Sequence, residues 1–130
     1  MQGLYEHAGM TWSRTVAERS LRELVNTPEK GGAWVIRSQG EAVGYLVLTL
    51  AFSLEFGGVF ALLDELYIEP GRRGQGIGSA TLRFAEVESR EMGAATLRLE
   101  TGKDNIDAVR FYERHGLGRD ERYLMTKRLS

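Results

Sequence analysis

No cysteine occurs in the 130 residues, so disulfides and thiolate metal sites are excluded and secretion gains no support. Proline is nearly as scarce. Pro28 and Pro70 are the only two, and both read as punctuation between elements rather than as a linker. Neither sign of charge prevails, with 17 basic residues against 18 acidic ones. A nucleic-acid binder usually carries a basic surplus because counterion release drives much of its affinity, so no nucleic-acid partner is expected. The longest apolar stretches, such as Tyr45 to Phe52, fall far short of a membrane span. Met1 to Met10 lacks a charged head followed by an apolar block, so no signal peptide is expected. Internal repeats and low-complexity tracts are missing too. These absences point to a cytoplasmic protein without a membrane partner.

What is present is ordinary for a globular fold: 42% of the residues are hydrophobic and 27% charged. The length suits one domain over residues 1–130, with one core and no room for a second. Thr15-Val16-Ala17-Glu18 has the form of a capping box ahead of Leu21, Leu24 and Val25, which predicts a helix from about Thr15 to Asn26. Pro28, Gly31 and Gly32 end it. Strands are expected over Ala33 to Arg37, Val43 to Phe52 and Val59 to Ile68, with turns at Gln39-Gly40 and Glu55 to Gly58. After Pro70-Gly71, the residues Ile77, Ala80, Phe84 and Val87 recur at helical spacing until Gly93. Thr96 to Thr101 reads as a strand, Asp104 as the cap of a helix through His115, and Arg122 to Leu129 as a last strand. The order α-β-β-β-α-β-α-β predicts an α/β (α+β) fold. Its mixed central sheet is antiparallel in the first half and parallel around a cleft, and helices flank it.

The segment Arg72-Arg73-Gly74-Gln75-Gly76-Ile77-Gly78-Ser79 places a glycine-rich turn between a strand and a helix. Such a junction binds anions: the first helical amides have no intrahelical partner, the helix dipole adds partial positive charge, and glycines let a diphosphate approach the backbone. Arg72 and Arg73 bring full charges to the same place. A Walker A loop needs Gly-Lys-Ser/Thr at its end, and Gly76-Ile77-Gly78-Ser79 does not supply it. A dinucleotide fingerprint counted from Gly74 puts its third glycine on Ser79, and counted from Gly76 puts it on Thr81. A plain surface turn is the bland alternative. Arg73-x-x-Gly76-x-Gly78, preceded by Glu65-Leu66-Tyr67-Ile68 and Pro70, resembles the acetyl-CoA signature of the GNAT acetyltransferase superfamily. The resemblance implies that the amides of Gly74, Gln75, Gly76, Ile77, Gly78 and Ser79, with Arg73, hold the CoA pyrophosphate. It also implies that the backbone of Leu66, Tyr67 and Ile68 holds the pantetheine arm.

The segment Asn105 to Gly116 resembles the other signature of that family, Asn-x-x-Ala-x-x-x-Tyr followed by Gly. Residues seven apart on a helix nearly eclipse each other, so Asn105 and Tyr112 share a face, roughly 10 Å apart along the axis. By resemblance Asn105 contacts the cofactor arm and Tyr112 protonates the leaving thiolate. Acetyl transfer to nitrogen needs a neutral amine, and a carboxylate that takes the ammonium proton serves that need. Glu65 is the candidate base and Asp64 its rival. Successive strand residues point to opposite faces, so both can line one cleft wall only if a bulge intervenes. Glu55 could line the acceptor end of the cleft, although a solvated turn residue is the simpler reading. Neither His7 nor His115 has ligand-spaced partners, so no metal is expected, and His115 reads as a helix-end residue.

The resemblance implies acetyl-CoA as cosubstrate and a small-molecule amine or a peptide as acceptor. A non-catalytic CoA-binding module of the same fold and a dinucleotide-binding domain remain as alternatives. Two departures from the family pattern matter. Only about a dozen residues precede the first helix, so the usual first strand and helix of the fold are expected to be lacking, and the C-terminus has room for one strand instead of a hairpin. Ala33 to Arg37, with Trp34, Val35 and Ile36, would then be an open edge, which a homodimer could cover unless Met1 to Met10 folds back onto it.

Overall fold

A computed structural model gives the architecture of residues 14–130. In chain order the elements are helix α1 (Arg14–Val25), strands β1 (Gly31–Ser38), β2 (Glu41–Ser53) and β3 (Gly58–Ile68), helix α2 (Ile77–Glu91), strand β4 (Leu97–Leu99) and helix α3 (Ile106–Arg114). Short 3-10 turns at Pro28–Lys30, Leu54–Phe56 and Pro70–Arg72 connect them. The sheet order is β1-β2-β3-β4, with β1-β2 and β2-β3 antiparallel and β3-β4 parallel. Mixed pairing follows from the connections: two hairpins first, then a helical crossover through α2.

The first hairpin turns on Gln39 and Gly40, both at positive φ (53° and 82°), between the paired residues Ser38 and Glu41. Positive φ at both central positions matches the twist of the flanking strands. On one face of the sheet, Leu46 and Leu48 of β2 and Leu63 of β3 pack with Leu82 and Ala85 of α2, joined by Phe111 and Tyr112 of α3. The opposite face carries Val47 and Thr49, which look into a cleft under α1. The layers are therefore α1, sheet, and α2 with α3, and the larger core lies on the second side.

Several expectations are corrected at the element ends. Helix α1 already includes Thr15 and starts at Arg14, so Thr15 is not its cap; the residue before Arg14 lies outside the described residues. Asn105 caps α3, accepting a hydrogen bond on Oδ1 from the Ala108 amide at 3.2 Å, in place of Asp104. The buried residues of α2 are Thr81, Leu82, Ala85 and Ser89, while Phe84 and Val87 are exposed. Two of those buried positions are hydroxyls satisfied within the helix: Thr81 Oγ1 donates to the Ile77 carbonyl at 2.8 Å and Ser89 Oγ to that of Ala85 at 2.7 Å. The strand expected over Arg122 to Leu129 is not formed. Residues 117–130 carry no regular structure, because β4 has only three residues and offers little ladder to extend. The open edge is corrected in part. Trp34 packs edge-on against Phe84 and Ile36 lies against the core, so Val35 alone of the three is exposed. Met1 to Met10, Trp12 and the expected loss of a first strand and helix fall outside the described residues.

Candidate active site

The register of β3 sets the geometry. Val47 pairs with Glu65 and Leu48 with Leu63, so Asp64 is the extra residue of a β-bulge. Cross-strand partners share a face. Leu63 therefore faces the core with Leu48, and Glu65 faces the α1 side with Val47. Asp64 also reaches the α1 side, where it lines the cleft with Val47 and Thr49. The bulge turns two adjacent acids toward one side of the sheet, where Asp64 lines the cleft and Glu65 is buried. Their surroundings differ: Glu65 is buried, 4% exposed, while Asp64 is exposed at the cleft. Burial of part of the Asp64 carboxyl still pushes its pKa up.

The same point marks the end of the β3-β4 ladder. The parallel pairs are Ala61 with Leu97, Leu62 with Arg98, and Leu63 with Leu99. Beyond Leu63 the ladder with β4 ends, while Leu66, Tyr67 and Ile68 stay paired to β2 on their other side. The β4-side edge of Leu66, Tyr67 and Ile68 therefore carries no strand partner among the described residues.

Past Ile68 the chain makes the glycine turn. Gly74 and Gly76 sit at φ 80° and 81°, and a side chain at either would meet nothing within 4 Å. Gly76 is the N-cap of α2, and no side chain caps the helix. The amides of Ile77, Gly78 and Ser79 therefore point toward open space at the positive end of a 15-residue helix. Arg73 is fixed over the turn: its Nε donates to the Ile68 carbonyl at 2.9 Å and its guanidinium lies 5.9 Å from the centre of the Tyr67 ring. Arg72, the other arginine expected at the turn, is paired with Glu41 of β2.

Helix α3 and its cap carry the two remaining candidates, Tyr112 and Asn105. Asn105 is occupied as its N-cap, and Tyr112 lies two turns on, packed edge-on against Phe111 and half-buried beside the core. Burial pushes the Tyr112 hydroxyl pKa above its ordinary value, so the phenol keeps its proton at neutral pH. The α1-side cleft, about 520 Å³, adjoins Asp64. Glu55 is remote from this chemistry in its pairing: Arg122 grips it at 2.6 and 2.5 Å, which lowers its pKa. No helix among the described residues is long and apolar enough to cross a membrane. None of their acidic and histidine side chains form a group of three that could hold a metal.

This arrangement has close counterparts. Residues 1–117 match the model of the acetyltransferase (GNAT) family. The chain belongs to the GNAT family. Its relatives include the aminoalkylphosphonate N-acetyltransferase of Salmonella typhimurium, 39% identical over 90 residues, which are 69% of this chain and 58% of that protein. An uncharacterized N-acetyltransferase of Archaeoglobus fulgidus is 33% identical over 72% of this chain and 64% of its own length. The chain thus spans about three fifths of the length of these relatives. Among solved structures, an integron cassette protein from the mobile metagenome of Cole Harbour Salt Marsh superposes with a TM-score of 0.82. It is 33% identical, and the match covers 97% of this chain and 78% of that one. The aminoglycoside 6'-N-acetyltransferase of Acinetobacter haemolyticus, at 17% identity, TM-score 0.76 and coverage of 92% and 85%, shares the fold.

Within this GNAT site, two features escaped the sequence. His115 is more than a helix-end residue: Nδ1 lies 2.8 Å from the Phe111 carbonyl and Nε2 2.9 Å from Ser79 Oγ. A carbonyl only accepts, so Nδ1 carries the hydrogen, and in the neutral ring Nε2 accepts from the Ser79 hydroxyl. Gly78 is the second. A Cβ there would meet Phe111 at 3.3 Å and Ile68 at 3.7 Å, so this glycine lets α3 close on the start of α2. Neither contact has a signature in spacing, since both join residues more than 30 positions apart. The bulge was anticipated only as a condition: Asp64 and Glu65 could share one side if one intervened.

Proposed function

We propose that the protein is an acetyl-CoA-dependent N-acetyltransferase that moves an acetyl group directly to a primary amine of a small molecule or peptide. The observation that carries this reading is the β4-side edge of Leu66, Tyr67 and Ile68, free of strand pairing among the described residues, which runs from the Asp64 bulge to the glycine turn. The turn suits a diphosphate because Gly74 and Gly76 leave its concave side free of side chains and the α2 amides lack a side-chain cap. Residues 73–79 would hold the pyrophosphate, and the outer backbone edge of Leu66, Tyr67 and Ile68 would hold the pantetheine arm. Acetyl-CoA bound there supplies the acetyl group as a thioester.

Glu65 or Asp64, on the cleft side, takes a proton from the incoming ammonium, directly or through water. A raised pKa strengthens Asp64 as a base and brings it nearer the working pH. Tyr112, whose burial keeps the phenol protonated, gives its proton to the departing sulfur. The reading treats residues 1–130 as one cytoplasmic domain that works as a homodimer, supported by the uncovered outer edge of β1 among the described residues. The test is titration with acetyl-CoA and with NAD, followed by a screen of amines for release of free CoA thiol. Binding of acetyl-CoA with amine-dependent thiol release is expected; preferential NAD binding would overturn the site, and tight CoA binding without turnover on any amine would leave a binding module.

A further inference from the structure

The α1-side cleft has a charge pattern that bears on its occupant. Its apolar lining includes Leu24 of α1 and Val47 of β2, both buried. Its charged lining residues are Glu23, Lys30 and Asp64. The lysine is answered: Lys30 Nζ lies 3.0 Å from Glu23 Oε2. Asp64 is left at the mouth beside the bulge, with Glu65 buried behind it on the same face. No lining cation among the described residues is left to meet an anion, and at about 520 Å³ the space suits a small ligand.

We propose that the acceptor is an amine on an apolar, uncharged body, and that the cleft selects against amines carrying a phosphonate or carboxylate. The inference rests on reading the chain as an amine acetyltransferase. An ammonium entering the cleft meets the Asp64 carboxylate beside the bulge, and a hydrocarbon body lies along the apolar lining of Leu24 and Val47. An acidic substituent would sit against Glu23 and Asp64 without a free cation, and like charges brought together in a partly dry cleft are strongly disfavoured. This separates the chain from its relative named for aminoalkylphosphonates, despite their similarity.

The experiment compares 3-phenylpropylamine with 3-aminopropylphosphonate, both by kcat/KM and by calorimetric binding to the protein saturated with CoA. The arylalkylamine is expected to win by at least about tenfold in both measurements. In Glu23→Gln, which frees the Lys30 ammonium, the ratio should fall toward one through a gain for the phosphonate. Equal or better use of the phosphonate by the unmodified protein overturns the inference, and so does failure of the arylalkylamine to bind. Selective binding without thiol release would sustain the inference and count against the acetyltransferase reading, so the two failures are distinguishable. Thermal unfolding of the Glu23→Gln protein checks that its fold is retained.

Discussion

In the proposed reaction, Tyr112 and the acid pair at residues 64 and 65 would divide the proton traffic by their surroundings. Tyr112→Phe removes the hydroxyl and keeps the ring that packs on Phe111. It should lower kcat on the order of 10²-fold with little change in the acetyl-CoA KM, since general-acid catalysis is worth about 10² to 10⁴. Glu65→Gln should lose activity near neutral pH and regain it in alkali, where the amine deprotonates unaided; a pH–rate profile identical to the parent would assign the base to Asp64 or to water. Asp64 also carries a signature in stability. Its folded-state pKa is raised by burial, so the fold binds that proton more tightly than the unfolded chain does. The group's favourable contribution is full in acid and disappears as pH rises through the raised pKa. Asp64→Asn should therefore raise the melting temperature at pH 7, and the gain should shrink as the pH falls into the range where Asp64 is protonated.

At the scale of elements, the junction of α2 with α3 depends on a few side chains. His115 and Ser79 tie the end of α3 to the first turn of α2, the turn whose amides face the proposed pyrophosphate. His115→Ala and Ser79→Ala should each cost about 1 kcal/mol of stability, the usual net worth of a hydrogen bond. The double variant should fall short of the sum because both remove one link, which denaturant titration would measure. Gly76→Val should weaken acetyl-CoA binding roughly tenfold or more, because holding an L-residue in the left-handed region costs about 1–2 kcal/mol and a β-branched side chain would stand where the diphosphate approaches. Calorimetry showing unchanged affinity would remove the turn from the site.

These elements also separate what local sequence can show from what it cannot. Strands β1 to β3 were legible to within a few residues because alternation and turn residues are local signals, and the turn at residues 73–79 was legible for the same reason. Asn105 in place of Asp104 is a one-residue choice between two good caps, decided by which oxygen reaches the Ala108 amide. The α2 stripe was misjudged because Thr81 and Ser89 bury hydroxyls that bond inside the helix, which an apolar pattern does not count. The bulge at Asp64 and the end of the β3-β4 ladder depend on pairing register, and register belongs to two strands at once. The missing strand at Arg122 to Leu129 has the same origin: a strand needs a partner ladder, and β4 is too short to provide one.

For the whole molecule, the question is what covers β1, the longer of the two edge strands among the described residues. Among the described residues nothing pairs with the outer edge of β1, and Val35 on that strand is 60% exposed. At the other end, Tyr123, Leu124 and Met125 are exposed. Their segment is tethered by surface ion pairs, Arg98 to Asp120, Arg119 to Glu113 and Arg122 to Glu55. Such pairs contribute little and weaken in salt, so this segment is a poor cover for anything. An uncovered strand edge invites pairing with another copy, and a two-fold arrangement along β1 closes both edges at once. Light scattering at micromolar concentration should therefore give a dimer mass. Val35→Lys, which blunts the edge and touches no core residue, should give a folded monomer, whereas removal of residues 123–130 should leave the dimer intact. The reverse pattern would move the contact to the C-terminal segment. A monomer with full activity in the unmodified protein would refute the dimer altogether.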